Sequence, residues 1–159
     1  MRKKFNILKL ILSIIISQLA GFIGSIFTFN SVNSWYLTLN KPFFNPPSWI
    51  FGPVWVSLYF LIGISFYLIW NNGFKSKTSK LALGFFITQL ILNSLWSIIF
   101  FGLKSPLFAF IEIILLWISI VLTMYYFSKI SKTATYLLIP YILWVSFASI
   151  LNLAMVILN

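Results

Sequence analysis

The sequence predicts an all-α polytopic membrane protein: one transmembrane domain of residues 1–159, built as a five-transmembrane-helix bundle. Three observations carry that expectation. The chain is 61% hydrophobic and only 8% charged, whereas soluble domains carry about 25% charged residues. A water-soluble globule of this size cannot hide so much apolar surface, and disorder needs low hydrophobicity. The apolar residues fall into five runs of about 20, the length that crosses a hydrocarbon core about 30 Å thick at 1.5 Å per helical residue. The runs do not alternate apolar with polar, as barrel strands of about ten residues would.

The first span covers about 6–29. Arg2, Lys3 and Lys4 before it resemble the head of a secretory signal. The apolar run is too long for one, and no small-x-small cleavage site precedes the next polar segment, so a retained span is expected. The second, about 47–70, opens after Pro46-Pro47 with Pro47 suited to its first turn, and closes at Asn71-Asn72-Gly73. The third, about 79–101, and the fourth, about 105–127, are parted by Gly102 and Lys104-Ser105-Pro106. The fifth, about 133–158, follows the polar stretch Ser128 to Lys132. Pro140 removes a bond to the Tyr136 carbonyl and predicts a kink there; Pro53 predicts another in the second span. Only the first connection, about 30–47, is long.

The net charge of +10 is distributed as topology determinants. Arg2, Lys3, Lys4, Lys9, Lys75, Lys77, Lys80, Lys129 and Lys132 flank one end of the spans, and Lys41 and Lys104 the other. Positive residues favour the cytoplasmic side and contact anionic membrane lipid. The expected placement is the cell membrane, multi-pass, with the N-terminus cytoplasmic and the long first loop and C-terminus outside. A basic stripe for nucleic acid would need a polar scaffold, which the chain lacks.

The missing residue types narrow the chemistry. The chain has no Cys and no His, and Glu112 is its only acid. Thiolate chemistry, imidazole ligation and paired-carboxylate catalysis are excluded, and no metal site is expected. No conventional acid, base or nucleophile is available. Glu112, inside the fourth span, is read as a neutral, hydrogen-bonded structural acid or one reaching Lys104. The alternative is a proton-coupling carboxylate in a small transporter of hydrophobic compounds.

Aromatic residues in two settings suggest a binding site. In the first loop, Pro42, Pro46 and Pro47 stiffen a segment that also carries Trp35, Tyr36 and Trp49. That stretch reads as an ordered lid over helix ends, or as an interfacial aromatic belt. Within the spans, Trp55, Tyr59, Ile62 and Phe66 share one face of the second helix. Gln89, Asn93, Trp96 and Phe100 share a face of the third, and Trp144, Phe147, Ala148, Leu151 and Asn152 a face of the fifth. Buried amides must be paired in hydrocarbon, so these faces should point inward. They read either as bundle packing or as a cavity for a large, flat, apolar ligand. Ala20, Gly21, Gly24 and Ser25 permit close packing of the first helix, within the bundle or against a second copy.

Three blocks of these residues resemble the translocator protein family, also called the tryptophan-rich sensory protein (TspO) family. The blocks are Trp35 through Lys41-Pro42, Pro46-Pro47, Trp49, Gly52-Pro53-Val54-Trp55 and Leu58-Tyr59; Leu92-Asn93, Trp96 and Phe100-Phe101-Gly102; and Pro140-Tyr141, Trp144, Phe147-Ala148 and Leu151-Asn152. The resemblance covers nearly the whole chain. It implies a five-helix bundle, usually a homodimer, that binds tetrapyrroles such as protoporphyrin IX and, in animals, cholesterol and synthetic benzodiazepine-type ligands. The matching pocket positions are Tyr36, Pro46, Trp55, Tyr59, Asn93, Trp96, Trp144 and Ala148. It also implies light- and oxygen-dependent porphyrin degradation in some bacterial members, with Trp55 and Trp144 matching the two tryptophans implicated. The animal sterol motif is not carried over, since residues 155–159 hold neither Tyr nor a basic residue.

Two expectations join the residues to that resemblance. Lys41 or Lys104 would meet the propionates of a porphyrin. With no His or Cys, haem iron would lack a strong axial ligand, so the metal-free macrocycle should bind at least as well. No obligatory cofactor is expected.

Overall fold

The computed structural model describes residues 4–159; Arg2 and Lys3 of the expected basic cluster lie outside them. Helix α1 is Ile7–Val32, α2 Trp35–Thr38, α3 Ser48–Trp70, α4 Lys77–Ser97, α5 Pro106–Ser128, α6 Lys132–Leu137 and α7 Ile139–Leu158. A π turn, Ile98–Gly102, extends α4. Five helical stretches are long and apolar enough to cross a membrane, with α4 plus the π turn and α6 plus α7 each forming one. There is no strand among the described residues.

The basic end of the bundle is built from helix starts capped by side chains. Asn6, Ser76 and Ser131 accept from the backbone N–H groups of Lys9, Ser79 and Ala134, each satisfying a donor the first turn leaves free. Asn6 N–H also donates to the Tyr67 hydroxyl at 3.2 Å, fixing α1 beside the end of α3. Lys4, Lys9, Lys75, Lys77, Lys80, Lys129 and Lys132 all belong to this end, and Lys41 and Lys104 to the opposite one.

The expected Pro140 kink is a break: α6 ends and α7 begins around Leu138, two residues before the proline. Pro53, by contrast, sits within a helix that continues through it. It lies within two turns of the α3 start, so only one early carbonyl loses its partner. The long connection holds the short helix α2, which the apolar pattern does not predict.

Two of the small residues on α1, Ala20 and Gly24, pack inside the bundle. A Cβ at Gly24 would stand 2.9 Å from Ser97 Oγ, and Ser94 Oγ donates to the Ala20 carbonyl at 2.8 Å. Two apolar clusters result. The larger joins α3, α4, α5 and α7 around Ile62, Phe66, Phe86 and Tyr141; the smaller lies at the lid end around Tyr36, Phe100, Phe101 and Met155.

Candidate functional site

Between these clusters lies a cavity of about 690 Å³. The expected faces of α3, α4 and α7 all reach it: Trp55 and Tyr59, Asn93 and Trp96, Trp144, Ala148, Leu151 and Asn152 line its walls. Tyr36 closes it from the lid. Pro46 is not on the wall; its carbonyl accepts from Asn45 Nδ2 at 3.1 Å within the lid. The cavity also takes a wall from α1, with Gln18, Gly21, Phe22, Ser25, Thr28, Phe29 and Val32, which sequence reasoning did not assign to a site. The small residues there were the available signal; beside the cavity Gly21 leaves the space that the Tyr59 ring enters.

The ceiling depends on the π turn. Leu103 N–H donates to the Ile98 carbonyl at 2.9 Å, a five-residue step that widens the last turn of the third span. It presents Phe100 and Phe101 edge to face at 4.9 Å. Trp96 stacks on Phe100 at 5.0 Å, and Tyr36 tilts against Phe101 at 5.8 Å. Ser31 Oγ donates to the Phe101 carbonyl at 2.7 Å, pinning the turn to α1.

The lid is tied on several sides. Tyr36 donates its hydroxyl to Asn45 Oδ1 at 2.9 Å. Burial pushes the Tyr36 phenol above its ordinary value of 10.0, with the Asn45 bond working the other way. It therefore stays a donor at neutral pH. Lys41 Nζ lies 4.7 Å over the Tyr36 ring. Asn40 N–H donates to Asn159 Oδ1 at 2.9 Å, and Asn159 Nδ2 donates back to the Asn40 carbonyl at 3.0 Å. Trp35 packs edge-on against Phe100 at 5.7 Å, and Trp49 is exposed at the cavity rim. Lys104 does not reach the cavity; it makes the tight turn into α5 at φ 54°.

The polar groups form a chain leading away from the cavity. Tyr59 donates to Asn93 Oδ1, Asn93 Nδ2 donates to the Tyr141 hydroxyl at 2.8 Å, and Tyr141 donates to Gln89 Oε1 at 2.7 Å. Both ends of the Asn93 amide are thus engaged with protein. Glu112 is buried on α5 but is not on the cavity wall, and neither of its oxygens has a hydrogen-bond partner among the described residues. The expected bond from this acid, to Lys104 or to another group, is not made. Among the described residues no cluster of three metal-ligating side chains occurs.

The family model described as TspO/MBR family matches residues 13–158. The chain belongs to the TspO/MBR family. It is 52% identical to the tryptophan-rich protein TspO of Archaeoglobus fulgidus, over 97% of this chain and 99% of that protein. It is 37% identical to the translocator protein of Homo sapiens, over 85% of this chain and 80% of that protein. It is 35% identical to the tryptophan-rich sensory protein of Cereibacter sphaeroides, over 80% and 78% respectively. As a TspO/MBR member it is a multi-pass membrane protein, and four of its seven tryptophans, Trp49, Trp55, Trp96 and Trp144, stand around one cavity.

Proposed function

We propose that the cavity binds a flat tetrapyrrole such as protoporphyrin IX, giving the protein a sensory or translocator role at the cell membrane. The observation that carries this reading is the convergence of indole rings from α3, α4 and α7 on one apolar space. Its volume of about 690 Å³ falls within the range of small-molecule sites, about 300–1,000 Å³. Ring faces at Trp55, Trp96 and Trp144 suit stacking against a macrocycle, and Lys41, over the Tyr36 ring but not itself on the wall, would meet a propionate that reaches the lid. With no His or Cys to bind iron, the metal-free pigment should bind at least as well as haem. By the positive-inside rule the basic end is cytoplasmic and the lid outside.

In light and oxygen, such a ligand is its own chromophore. Trp55 and Trp144 would supply oxidisable rings and a site closed to water, without an acid or base. Titration of the full chain with protoporphyrin IX should quench indole emission saturably. Aerobic illumination should then yield a photoproduct absent under argon and absent from Trp55→Phe/Trp144→Phe. Equal photoproduct from wild type and the double variant removes the degradative role; unsaturable quenching removes the binding role. The alternative, proton-coupled transport through Glu112, draws on the burial of that carboxyl without a partner. Glu112 is off the wall and outside the Tyr59–Asn93–Tyr141–Gln89 hydrogen-bond chain, which weighs against that alternative.

A further inference from the structure

Three glycines record how α1 and α3 diverge. At Gly63 a Cβ would stand 2.6 Å from the Ile14 Cα, so the two helices touch there backbone to backbone. At Gly21 the Tyr59 ring fills the gap. At Gly52 nothing lies within 4 Å. The last polar tie between the helices is Gln18 Nε2 donating to the Val56 carbonyl at 3.0 Å. At that tie and beyond it towards the lid, Val56, Phe22, Trp49 and Phe29 line the cavity and are nonetheless 59, 64, 74 and 75% exposed. The opposite walls are closed: Asn93, Phe100, Leu151 and Asn152 are buried.

Phe22 lies ten residues before the end of α1 and Val56 eight beyond the start of α3. At 1.5 Å per residue the opening reaches about 12–15 Å below the lid end, a depth that belongs to hydrocarbon in a bilayer about 30 Å thick. The aqueous side is held shut by the Asn40–Asn159 clasp, the Tyr36–Asn45 bond and the Trp35–Phe100 contact.

We propose that the cavity opens sideways into the bilayer between α1 and α3, and that it takes ligands dissolved in the membrane, not ligands arriving from water through the lid. This restricts the ligand class to molecules that partition into lipid. With none present, a lipid acyl chain fills the slot, because the apolar space is continuous with the surrounding tails. The route rests on the proposed function only for the ligand's identity, so it is tested first without porphyrin.

The full chain is placed in vesicles of phosphatidylcholine brominated along its acyl chains, whose bromine quenches indoles on contact. The emission component that disappears in Trp55→Phe/Trp144→Phe should be quenched by brominated lipid and spared by aqueous iodide. Gly52→Phe, which adds a ring in the open mouth, should protect it, and Val56→Ala should increase the quenching. Iodide quenching of that component, or brominated quenching indifferent to both mouth variants, overturns the proposal. Protoporphyrin IX preloaded into vesicles supplies the second arm. In Gly52→Phe its on- and off-rates should fall together, about tenfold, a barrier increase of about 1.4 kcal/mol. Bridging Asn40→Cys to Asn159→Cys should leave both rates unchanged; a bridge that stops binding overturns the route. If protoporphyrin does not bind while the brominated-lipid result holds, the tetrapyrrole reading fails and the slot stands.

Discussion

Trp96 donates its indole N–H to Asn152 Oδ1 at 2.9 Å, and Asn152 Nδ2 in turn donates to the Pro106 carbonyl at 2.8 Å. One amide therefore joins α4, α5 and α7 at the cavity wall. Asn152→Leu strips both bonds and leaves an indole N–H without a partner in an apolar wall. The expected cost is about 1–2 kcal/mol, seen as a lowered melting temperature in detergent. Trp96→Phe/Asn152→Leu, which removes donor and acceptor together, should recover part of that loss; a double variant as unstable as the sum of the singles would refute the pairing.

Gly63 and Gly84 make a matched pair of opposite sign. A side chain at Gly63 meets the backbone of Ile14, whereas one at Gly84 meets nothing within 4 Å. Gly63→Val should destabilise by about 1–3 kcal/mol through overpacking. Gly84→Ala should be neutral or stabilising, by up to about 1 kcal/mol of helix propensity. Equal melting curves for the two variants would show that α1 and α3 do not touch as described.

Lys41 places a cation beside the ceiling residue Tyr36. Lys41→Gln should weaken protoporphyrin binding by about 0.5–1 kcal/mol, the ordinary worth of an exposed charge pair, with less loss at high salt. The dimethyl ester, which carries no carboxylate, should bind wild type and variant alike. A matching loss with the ester would mean that Lys41 acts by holding the lid.

Glu112→Gln conserves shape at a buried carboxyl that no hydrogen bond holds. Fluorescence titration should give the same protoporphyrin affinity as wild type, since the residue is off the cavity wall. Vesicle uptake under an imposed pH gradient is the companion measurement. Gradient-driven uptake that vanishes in this variant would favour the transporter over the binding protein.

The aromatic faces of α4 and α7 were readable because amides mark them, and that of α3 because Trp55 and Tyr59 recur one turn apart. Gln89, Asn93 and Asn152 must point inward, and they carry Trp96 and Trp144 with them. The face of α1 was not readable for the converse reason. Phe22 faces outward at the cavity rim while Phe66 is buried in the core, yet lipid tails are as apolar as a protein interior, so periodicity cannot tell one Phe from the other. The small residues of α1 looked like a packing seam; half of that seam is in fact cavity wall. Helix α2 escaped because four residues carry too little pattern, and the π turn because it is set by packing at the end of a span.

The π turn has a consequence for how such a chamber arises in a chain of plain spanning helices. An α-helix rotates about 100° with each residue, so one extra residue in Ile98–Gly102 re-aims everything after it while α4 before it keeps its register. Remove that residue and the span would still reach across, but Phe100 and Phe101 would leave their places above Trp96. A single insertion is enough to turn a structural rod into the roof of a compartment.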